Sequence, residues 1–567
     1  MKNYPLYHSP YSTDLRTFFQ KAVERYADKD LFVYRRNGRL ESVGYRAFAE
    51  RVAALGAALE AEGLFDGRMA ILGENSPEWL LCYFAIGCGG GVAVPLDREQ
   101  TEENLAQMLT ATECGVLFFS ADYADLAAAL SHRLPRRLRC ICFGEQSELP
   151  EAELLEALLE KGRKALAAGD RRYEERPVDP EGMLEIIFTS GTTSTSKAVQ
   201  LSHHNVVSNA CYSANMVDIR HTDRVLAPLP FHHTYQLTCG ILNMINQGCT
   251  IFINRSVRYL VQDIAAFRPT IVVVVPLMLE MILQKIQAGV AAQGKEKLFG
   301  KLLSVIRVLQ RLGLHPSLGI IQKIKDQLGG EIHTFICGGA PLAPSVVETF
   351  GAMNMQVVQG YGITECSPLV AVNRNRYYKT DSIGLPIPGC EVKIEDGEIL
   401  VRGEGVMAGY YNNPEETAAS FRDGWFCTGD LGRQDADGFL YITGRKKNLI
   451  VLKNGKNVSP EDLEAEICAC PYVKECVVYG VENGSNADLT LSATIYPDFE
   501  QETLKGLPTH EVHTLINEEI TALNKRLPFY KQVHQVKFRE TEFPKTTTKK
   551  IKRSNAYQED GSGSGLK

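Results

Sequence analysis

No apolar run in the 567-residue sequence is both long and uninterrupted. The longest covers residues 79–96 and approaches the length of a membrane span, but three glycines at 89–91 and then Pro95 interrupt it. We therefore expect a buried helix, a glycine turn and a buried strand at this place. The first fourteen residues have no apolar core, which argues against a secretory signal peptide. A cytoplasmic protein is the expectation, with contact to a membrane surface left open.

The sequence also lacks the features of a disulfide scaffold, a zinc site or a nucleic-acid-binding protein. Its 15 cysteines are an odd number scattered among apolar runs, which is typical of buried thiols in a reducing compartment. The pairs Cys140/Cys142 and Cys468/Cys470 are too closely spaced for a zinc knuckle. A formal net charge of −7 argues against nucleic acid as the main partner.

Repeats of solenoid period are absent, and the chain is too long for a single hydrophobic core. Strands and helices alternate as far as about residue 360, which predicts an α/β fold with helix-covered parallel sheets. The expected divisions are a large N-terminal domain at 1–444 with a small β-rich subdomain at about 380–444, a charged hinge at 445–448, a small mobile α+β C-terminal domain at 449–558 and a flexible tail at 559–567.

The stretch of residues 184–203 is the most informative part of the sequence. Residues 184–188 predict a buried strand, which leads into a loop made only of Ser, Thr and Gly that Lys197 closes. Such a loop presents backbone N–H groups, small hydroxyls and one cation to the same point, which suits a polyphosphate. A Walker-type loop needs Gly directly before the lysine and a hydroxyl directly after it, whereas Ser196 and Ala198 stand there. A flexible Ser/Thr linker is the alternative interpretation.

This loop resembles the T-S-G-T-T-G-x-P-K-G signature of the AMP-forming acyl-CoA synthetases and their adenylate-forming relatives. The residues that match are Thr189, Ser190, Gly191, Thr192, Thr193 and Lys197. Those that depart from the signature are Ser194, Ser196 and Ala198. Further motifs follow in the family's order along nearly the whole chain. The resemblance implies an ATP- and Mg²⁺-dependent enzyme that forms an acyl-AMP and then transfers the acyl group to CoA.

The nucleotide and metal contacts implied by the resemblance come from two glycine-containing turns. The residues that it assigns to the adenine site are Gly338, Gly339, Ala340, Pro341, Gln359, Gly360, Tyr361 and Gly362. In the family's pattern Thr364 contacts the α-phosphate and Glu365 holds Mg²⁺. The chemistry of the residues agrees, because glycine allows a close backbone approach and Mg²⁺ prefers carboxylate and phosphate oxygens. Tight turns with a solvated Glu are the structural alternative.

Further assignments also follow from the resemblance. His233, in the Phe-His-His sequence, matches the histidine that lies near the reacting carboxylate and helps to gate the acyl tunnel. Asp430 and Arg445 match the residues that contact ribose, and Lys447 stands at the hinge position. For each of these, a packed loop residue or a solvated charge is the alternative.

The C-terminal domain supplies the remaining candidates. Lys550 aligns with the adenylation lysine, although Lys549 replaces the usual glycine before it. Near the hinge, Lys453, Gly455 and Lys456 are candidates for the CoA side. A basic patch for a membrane or nucleic acid is the alternative at the C-terminal motif.

No single residue identifies the acid. Several stretches resemble the long-chain fatty acyl branch, which favours a medium- to long-chain fatty acid. The largely helical segment 297–328 mixes apolar and basic positions, typical of a core helix with a solvated face or of a membrane-surface helix. An acyl carrier protein as acceptor, an aromatic or other acid as substrate, and a nucleotide-binding protein with impaired catalysis are the alternatives.

Overall fold

A computed structural model of the protein describes residues 3–189, 197–254, 259–312, 314, 319–452, 456–470, 472–483, 488–501, 503–545 and 551–553. Its α-helices are α1 (Leu15–Tyr26), α2 (Tyr45–Ala61), α3 (Pro77–Cys88), α4 (Glu102–Ala111), α5 (Ala124–Arg133), α6 (Leu155–Ala167), α7 (Arg172–Glu175), α8 (His203–Ala214), α9 (Asn243–Asn246), α10 (Leu260–Phe267), α11 (Pro276–Ala291), α12 (Glu296–Arg311), α13 (Gly319–Gln327), α14 (Pro344–Ala352), α15 (Pro414–Ala419), α16 (Pro460–Cys468) and α17 (Thr509–Asn524).

The strands are β1 (Asp30–Arg36), β2 (Arg39–Gly44), β3 (Arg68–Leu72), β4 (Val92–Leu96), β5 (Cys114–Phe119), β6 (Arg139–Cys142), β7 (Glu153–Leu154), β8 (Met183–Thr189), β9 (Lys197–Ser202), β10 (Arg224–Ala227), β11 (Thr250–Ile253), β12 (Ile271–Val274), β13 (Thr334–Cys337), β14 (Gln356–Gly362), β15 (Leu369–Val372), β16 (Leu385–Pro386), β17 (Cys390–Glu395), β18 (Glu398–Gly403), β19 (Gly409–Tyr410), β20 (Phe421–Arg422), β21 (Trp425–Gln434), β22 (Leu440–Arg445), β23 (Ile450–Val451), β24 (Asn457–Val458), β25 (Val473–Asn483), β26 (Asp488–Pro497) and β27 (Gln535–Phe538).

Contacts divide the chain into two units. Described residues within 1–189, 195–392 and 401–426 form the larger unit, and those within 393–400 and 427–567 belong to the smaller unit. The larger unit contains a nine-stranded sheet in the order β16-β15-β14-β13-β12-β10-β11-β1-β2 and an eight-stranded sheet in the order β19-β9-β8-β4-β3-β5-β6-β7. Neighbouring strands run parallel from β1 to β14 in the first sheet and from β8 to β7 in the second. This confirms the predicted α/β class.

The longest apolar run folds as the glycine positions predicted. Helix α3 begins at Pro77, where the Ser76 hydroxyl accepts a hydrogen bond from the Trp79 N–H, and every residue of the helix except Glu78 is buried. The helix ends before the glycines, and β4 follows with its side chains packed in the sheet. None of the helices described here is long and apolar enough to cross a membrane.

Two β-hairpins turn at dipeptides that favour tight turns. The β1–β2 hairpin turns at Asn37-Gly38, and the β17–β18 hairpin turns at Asp396-Gly397; all four residues have positive φ. Asn, Asp and Gly adopt this left-handed conformation at a low energetic cost, which is why these dipeptides mark hairpin turns.

The smaller unit has its own hydrophobic core. Strands β25, β26 and β27 form a three-stranded sheet on which α16 and α17 pack. Leu463 and Ile467 of α16, and Val512 and Ile516 of α17, are at most 1% exposed. Helix α16 begins at Pro460, because the fixed backbone angle of proline suits the first position of a helix.

Candidate active site

The predicted strand before the phosphate-type loop is present, and the loop connects two antiparallel strands. β8 pairs with β9 so that Thr189 and Lys197 stand opposite each other. The loop candidates between them, Ser190, Gly191, Thr192 and Thr193, and the departures Ser194 and Ser196, lie outside the described residues. Both ends of the loop are therefore held by one hairpin in the larger unit.

Lys197 has a defined set of partners. Its ammonium group forms a salt bridge with the Glu416 carboxylate of α15 and lies 4.8 Å from the centre of the Tyr410 ring. The Tyr410 hydroxyl donates a hydrogen bond of 3.0 Å to Oε1 of Glu365. Burial and the Glu365 charge raise the pKa of Tyr410, so that its hydroxyl stays protonated and acts as a donor. The loop lysine and the predicted magnesium ligand thus belong to one polar cluster.

Glu365 fits a role in Mg²⁺ binding with the nucleotide. Its side chain is half-buried, and its main-chain carbonyl accepts a hydrogen bond of 2.8 Å from the Met407 N–H, which fixes the backbone. No group of three metal-ligating side chains occurs among the residues that the structure describes. A single carboxylate such as that of Glu365 suits Mg²⁺, which is commonly held by one or two carboxylates together with substrate phosphates.

The two predicted adenine turns lie side by side. β13 and β14 are parallel neighbours, with Cys337 opposite Gln359, so that the glycines after β13 and those at the end of β14 meet at the carboxyl edge of the sheet. A Cβ on Gly338 would lie 3.2 Å from Cζ of Tyr235, and one on Gly362 would lie 2.3 Å from the Pro368 carbonyl oxygen. These glycines are needed for close packing. Ligands of open α/β sheets commonly bind beyond this edge.

The remaining adenine candidates differ in exposure. Gly339, Ala340 and Pro341 are exposed in the loop after β13, and Tyr361 is half-buried. The Gln359 side chain is 9% exposed and donates a hydrogen bond of 2.8 Å to the carbonyl of Thr380. One amide proton of Gln359 is thus already engaged within the protein.

Thr364 begins a short 3₁₀ turn, Thr364–Cys366, and Ile363 connects this turn to β14. Its side chain is half-buried, and its carbonyl accepts a hydrogen bond of 3.1 Å from the Ser367 N–H. The turn holds Thr364 and Glu365 next to each other after the carboxyl end of β14.

His233 lies at the start of a helical segment beside a second histidine. Its N–H donates to the Pro230 carbonyl at 3.2 Å, and its ring centre is 4.3 Å from that of His232. Burial, followed by the Arg98 charge, lowers the pKa of His232 to about 3, so that this ring is neutral. His233 is half-buried and is the more accessible ring of the pair.

A largely apolar cavity of about 60 Å³ adjoins the adenine turns. One wall comes from α8 and from the π-helical segment Tyr235–Leu242, which continues into α9. Gly338, Gly339 and residues 360–362 also line it. An apolar chamber directly beside a nucleotide motif can hold the organic part of an acid while its carboxylate faces the nucleotide.

The predicted ribose pair comes together in the smaller unit. Asp430 of β21 stands opposite Arg445 of β22, and Arg445 Nε lies 2.7 Å from Oδ1 of Asp430. Asp430 is 2% exposed, and its N–H donates to the Thr428 hydroxyl at 3.0 Å.

The hinge and CoA-side candidates are only partly described. Lys447 is exposed in the short helical turn Lys446–Asn448. The Lys456 ammonium lies 4.1 Å from the centre of the Tyr530 ring. Lys453 and Gly455 lie outside the described residues.

Lys550 and Lys549 also lie outside the described residues, but both flanks of their segment are described. Lys545 forms a β-bridge with Ile551 and salt bridges with Glu475 and Glu542. Arg553 forms a salt bridge with Glu464. Because two of the five cations of this segment are paired within the unit, the observed contacts do not favour a basic patch.

Sequence reasoning missed Tyr410, Glu416, Ser213 and Asn243. Asn413 is the N-cap of α15 and Pro414 its first residue, so the Asn-Asn-Pro-Glu-Glu sequence signalled the helix that carries Glu416. No local signal pointed to the two cavity residues, because their roles depend on which helices pack together.

Comparison with known proteins identifies the family. The model of the AMP-binding enzyme family matches residues 19–411, and that of the AMP-binding enzyme C-terminal domain matches residues 447–559. The chain belongs to the AMP-binding enzyme family. It is an AMP-forming acid–thiol ligase.

Two relatives of this AMP-binding enzyme differ in the acid that their names give. The chain is 31% identical over 480 residues to the long-chain-fatty-acid–CoA ligase FadD15 of Mycobacterium bovis, covering 80% of this chain and 78% of the relative. It is 28% identical over 451 residues to a feruloyl-CoA synthase of Amycolatopsis sp, covering 77% and 80%.

A solved structure has the same fold. The anthranilate CoA ligase AuaEII in complex with anthranoyl-AMP superposes with a TM-score of 0.75 over 98% of both chains, at 20% identity.

Proposed function

We propose that this AMP-binding enzyme activates a medium- to long-chain fatty acid with ATP and transfers the acyl group to CoA. The observation that supports an acid with an apolar organic part is the largely apolar cavity beside the turns at 338–341 and 359–362. The long-chain-fatty-acid–CoA ligase relatives at about 30% identity favour the same substrate class and CoA as acceptor.

In the proposed first step, the carboxylate attacks the α-phosphate and pyrophosphate leaves. This step requires two anions to meet in line, so positioning and fixed positive charge are the main contributions of the protein. Lys197 with its loop would hold the phosphates, Thr364 the α-phosphate, and Lys550 the developing charge. Mg²⁺ held by Glu365 would neutralise phosphate oxygens when it is bound with ATP.

The other roles in this proposal follow the matched positions. Asp430 would accept hydrogen bonds from the ribose hydroxyls, and Arg445 would hold Asp430 in place. His233 would stand between the nucleotide and the cavity.

In the second step the thiol of CoA attacks the acyl carbon and AMP leaves. We propose Lys447 as the hinge about which a C-terminal domain at 449–558 turns between the two steps, with residues 453–456 near the CoA channel. Backbone freedom at a few hinge residues is what such motions require. Lys447→Pro is therefore expected to slow thioester formation, and slowing of adenylation alone would contradict the hinge.

Acid-dependent exchange of pyrophosphate into ATP, measured over a panel of acids, tests the first step. Fatty acids are expected to support exchange, and added CoA is expected to yield an acyl-CoA detectable by mass spectrometry. If only aromatic acids supported exchange, the substrate would be an aromatic acid and not a fatty acid. Product formation only with an acyl carrier protein would replace CoA, and no exchange with any acid would indicate impaired catalysis.

Lys550→Ala separates the two steps. It is expected to slow acyl-AMP formation on the order of 10²–10³-fold, the scale of one preorganised electrostatic group, while supplied acyl-AMP is still converted to thioester. Lys552→Ala is the matched control, because Lys552 is exposed on the same segment. Equal loss of both steps in Lys550→Ala would remove the lysine from its proposed role.

A further inference from the structure

Helix α12 carries a stripe of apolar side chains on the side that faces solvent. Leu298, Val305 and Val308 are 59%, 53% and 57% exposed, and Leu312, the C-cap of the helix, is 72% exposed. At about 100° per residue these positions fall within a sector of about 80°, so their side chains form one stripe, the α12 stripe. Single exposed apolar residues are normal on soluble proteins, but an aligned set of this kind marks an interaction surface.

Another side of α12 is packed against the fold. Its buried residues, each at most 7% exposed, are Phe299, Leu303 and Ile306. The Gln310 amide donates a hydrogen bond of 2.9 Å to the Gly351 carbonyl of α14, which fixes the C-terminal half of the helix. Helix α12 therefore buries one apolar face in the protein and exposes a second one, instead of the polar face that a core helix presents to water.

The segment around the α12 stripe is basic, although the chain as a whole is acidic. Residues 295–326 contain seven Lys and Arg and two Asp and Glu, whereas the formal net charge of the chain is −7. Lys297 and Lys301 are exposed, and Lys301 falls within the sector of the stripe. A lysine can lay its apolar stem along a hydrophobic surface while its ammonium stays in the polar layer. The complementary surface is therefore apolar, with negative charge at its border.

The residue types distinguish two surfaces of this kind, a lipid bilayer and another protein. Protein–protein interfaces are enriched in aromatic residues, Met and Arg, and they are depleted of Lys. Helices that lie in a membrane interface instead combine Lys and Arg with large apolar residues such as Leu, and they insert their apolar face about 5–10 Å deep. The α12 stripe contains Leu and Val beside Lys, and so it has the composition of the second class.

We propose that α12 is a docking helix for an anionic lipid bilayer. The α12 stripe inserts at the boundary between headgroups and acyl chains, and Lys297 and Lys301 contact the negatively charged headgroups. The docking does not depend on which acid the enzyme activates. Its consequence, access to acids dissolved in the bilayer, rests on the proposed function, because medium- to long-chain fatty acids partition into membranes.

Co-sedimentation of the full-length protein with vesicles tests this proposal without an activity assay. Pure phosphatidylcholine vesicles are compared with vesicles that also contain phosphatidylglycerol. The wild type is expected to bind the anionic vesicles at least about tenfold more tightly, since each lysine at such a surface contributes about fivefold in affinity. Added salt should weaken this binding, because it screens exposed charges. Equal binding to both kinds of vesicle, or binding to neither, would overturn the proposal.

Two double variants separate the apolar and the charged contributions. Val305→Gln/Val308→Gln is expected to lower binding to anionic vesicles at least about tenfold, because two apolar side chains no longer leave water. Lys297→Gln/Lys301→Gln is expected to lower it about 25-fold, with little change on neutral vesicles. Binding that persists in both double variants would place the contact on another surface and refute the role of α12.

Matched controls come from exposed residues outside α12. Leu40→Gln on β2 and Lys164→Gln on α6 should bind vesicles like the wild type. Urea unfolding of every variant checks that it is folded, and exposed positions should change stability little. Light scattering examines a second copy of the chain as the occupant. A dimer that Val305→Gln/Val308→Gln converts to a monomer, without vesicle binding by the wild type, would assign the stripe to self-association and overturn the proposal.

Discussion

Replacing Glu185 by glutamine is expected to raise the free energy of unfolding. This gain over the wild type is expected to be larger at alkaline pH than at mildly acidic pH. Glu185 stands in the middle of β8, between the neighbouring strands β4 and β9, and is 0% exposed. Neither carboxylate oxygen is hydrogen-bonded to another described residue. Burial raises the pKa of Glu185 from 4.5 to about 7.

The sign and size of the effect follow from this pKa. Because the pKa is higher in the folded state than in the unfolded chain, the neutral group is tolerated below pH 4.5, and stability is lost as the pH rises through about 7. A shift of roughly 2.5 units at 1.36 kcal/mol per unit corresponds to about 3 kcal/mol of unfolding free energy at about pH 8. Glutamine cannot ionise, so the variant is free of this loss.

Urea unfolding of both proteins at about pH 5 and about pH 8 measures the effect. The difference in unfolding free energy, variant minus wild type, is expected to be about 2.5 kcal/mol larger at the higher pH, because the wild type has already lost about 0.8 kcal/mol at about pH 5. Glu99→Gln is the matched control, because Glu99 is exposed. A difference that changes by less than about 0.5 kcal/mol, the range of ordinary surface substitutions, would refute the reasoning.

Three further predictions concern contacts in each unit. Glu416→Gln removes the charge that pairs with Lys197 in a half-exposed salt bridge, and such a bridge contributes about 0.2–1 kcal/mol. Because the lysine is then free to bind phosphate, the KM for ATP in the exchange assay should fall by up to about fivefold. An unchanged or higher KM would contradict this. The buried Arg374 guanidinium donates to Asn3, Tyr4 and Pro5, so that Arg374→Ala and deletion of residues 1–8 should each cost about 2–3 kcal/mol in urea unfolding, and their combination should cost less than the sum. If the two losses of unfolding free energy added fully, Arg374 and the N-terminal segment would not stabilise the protein through a shared contact. Burial raises the pKa of Glu464 to about 7, and Arg553 opposes this, so Arg553→Gln should destabilise more at about pH 8 than at about pH 5; an equal loss at both would argue against the pair.

Some features of this protein could be predicted from short stretches of sequence. These include the interruption of the apolar run after Cys88, the turns at Asn37 and Asp396, and the start of α16 at Pro460. Each depends on conformational preferences of residues that are neighbours in the chain, which a linear pattern records directly. The strand before the phosphate-type loop and the family motifs were predictable for the same reason.

The sequence alone therefore determined the α/β class, the order of the elements and the residue types of the nucleotide site. Only the tertiary structure decided that Lys197 meets Glu416, that Arg374 holds the N-terminal segment, and that Asn243 faces a cavity beside Gly338. These contacts join residues far apart in the chain, and they depend on strand order and on helix packing over the sheets. Local patterns do not encode such pairings, because the same amphipathic helix can bury its apolar face against many partners.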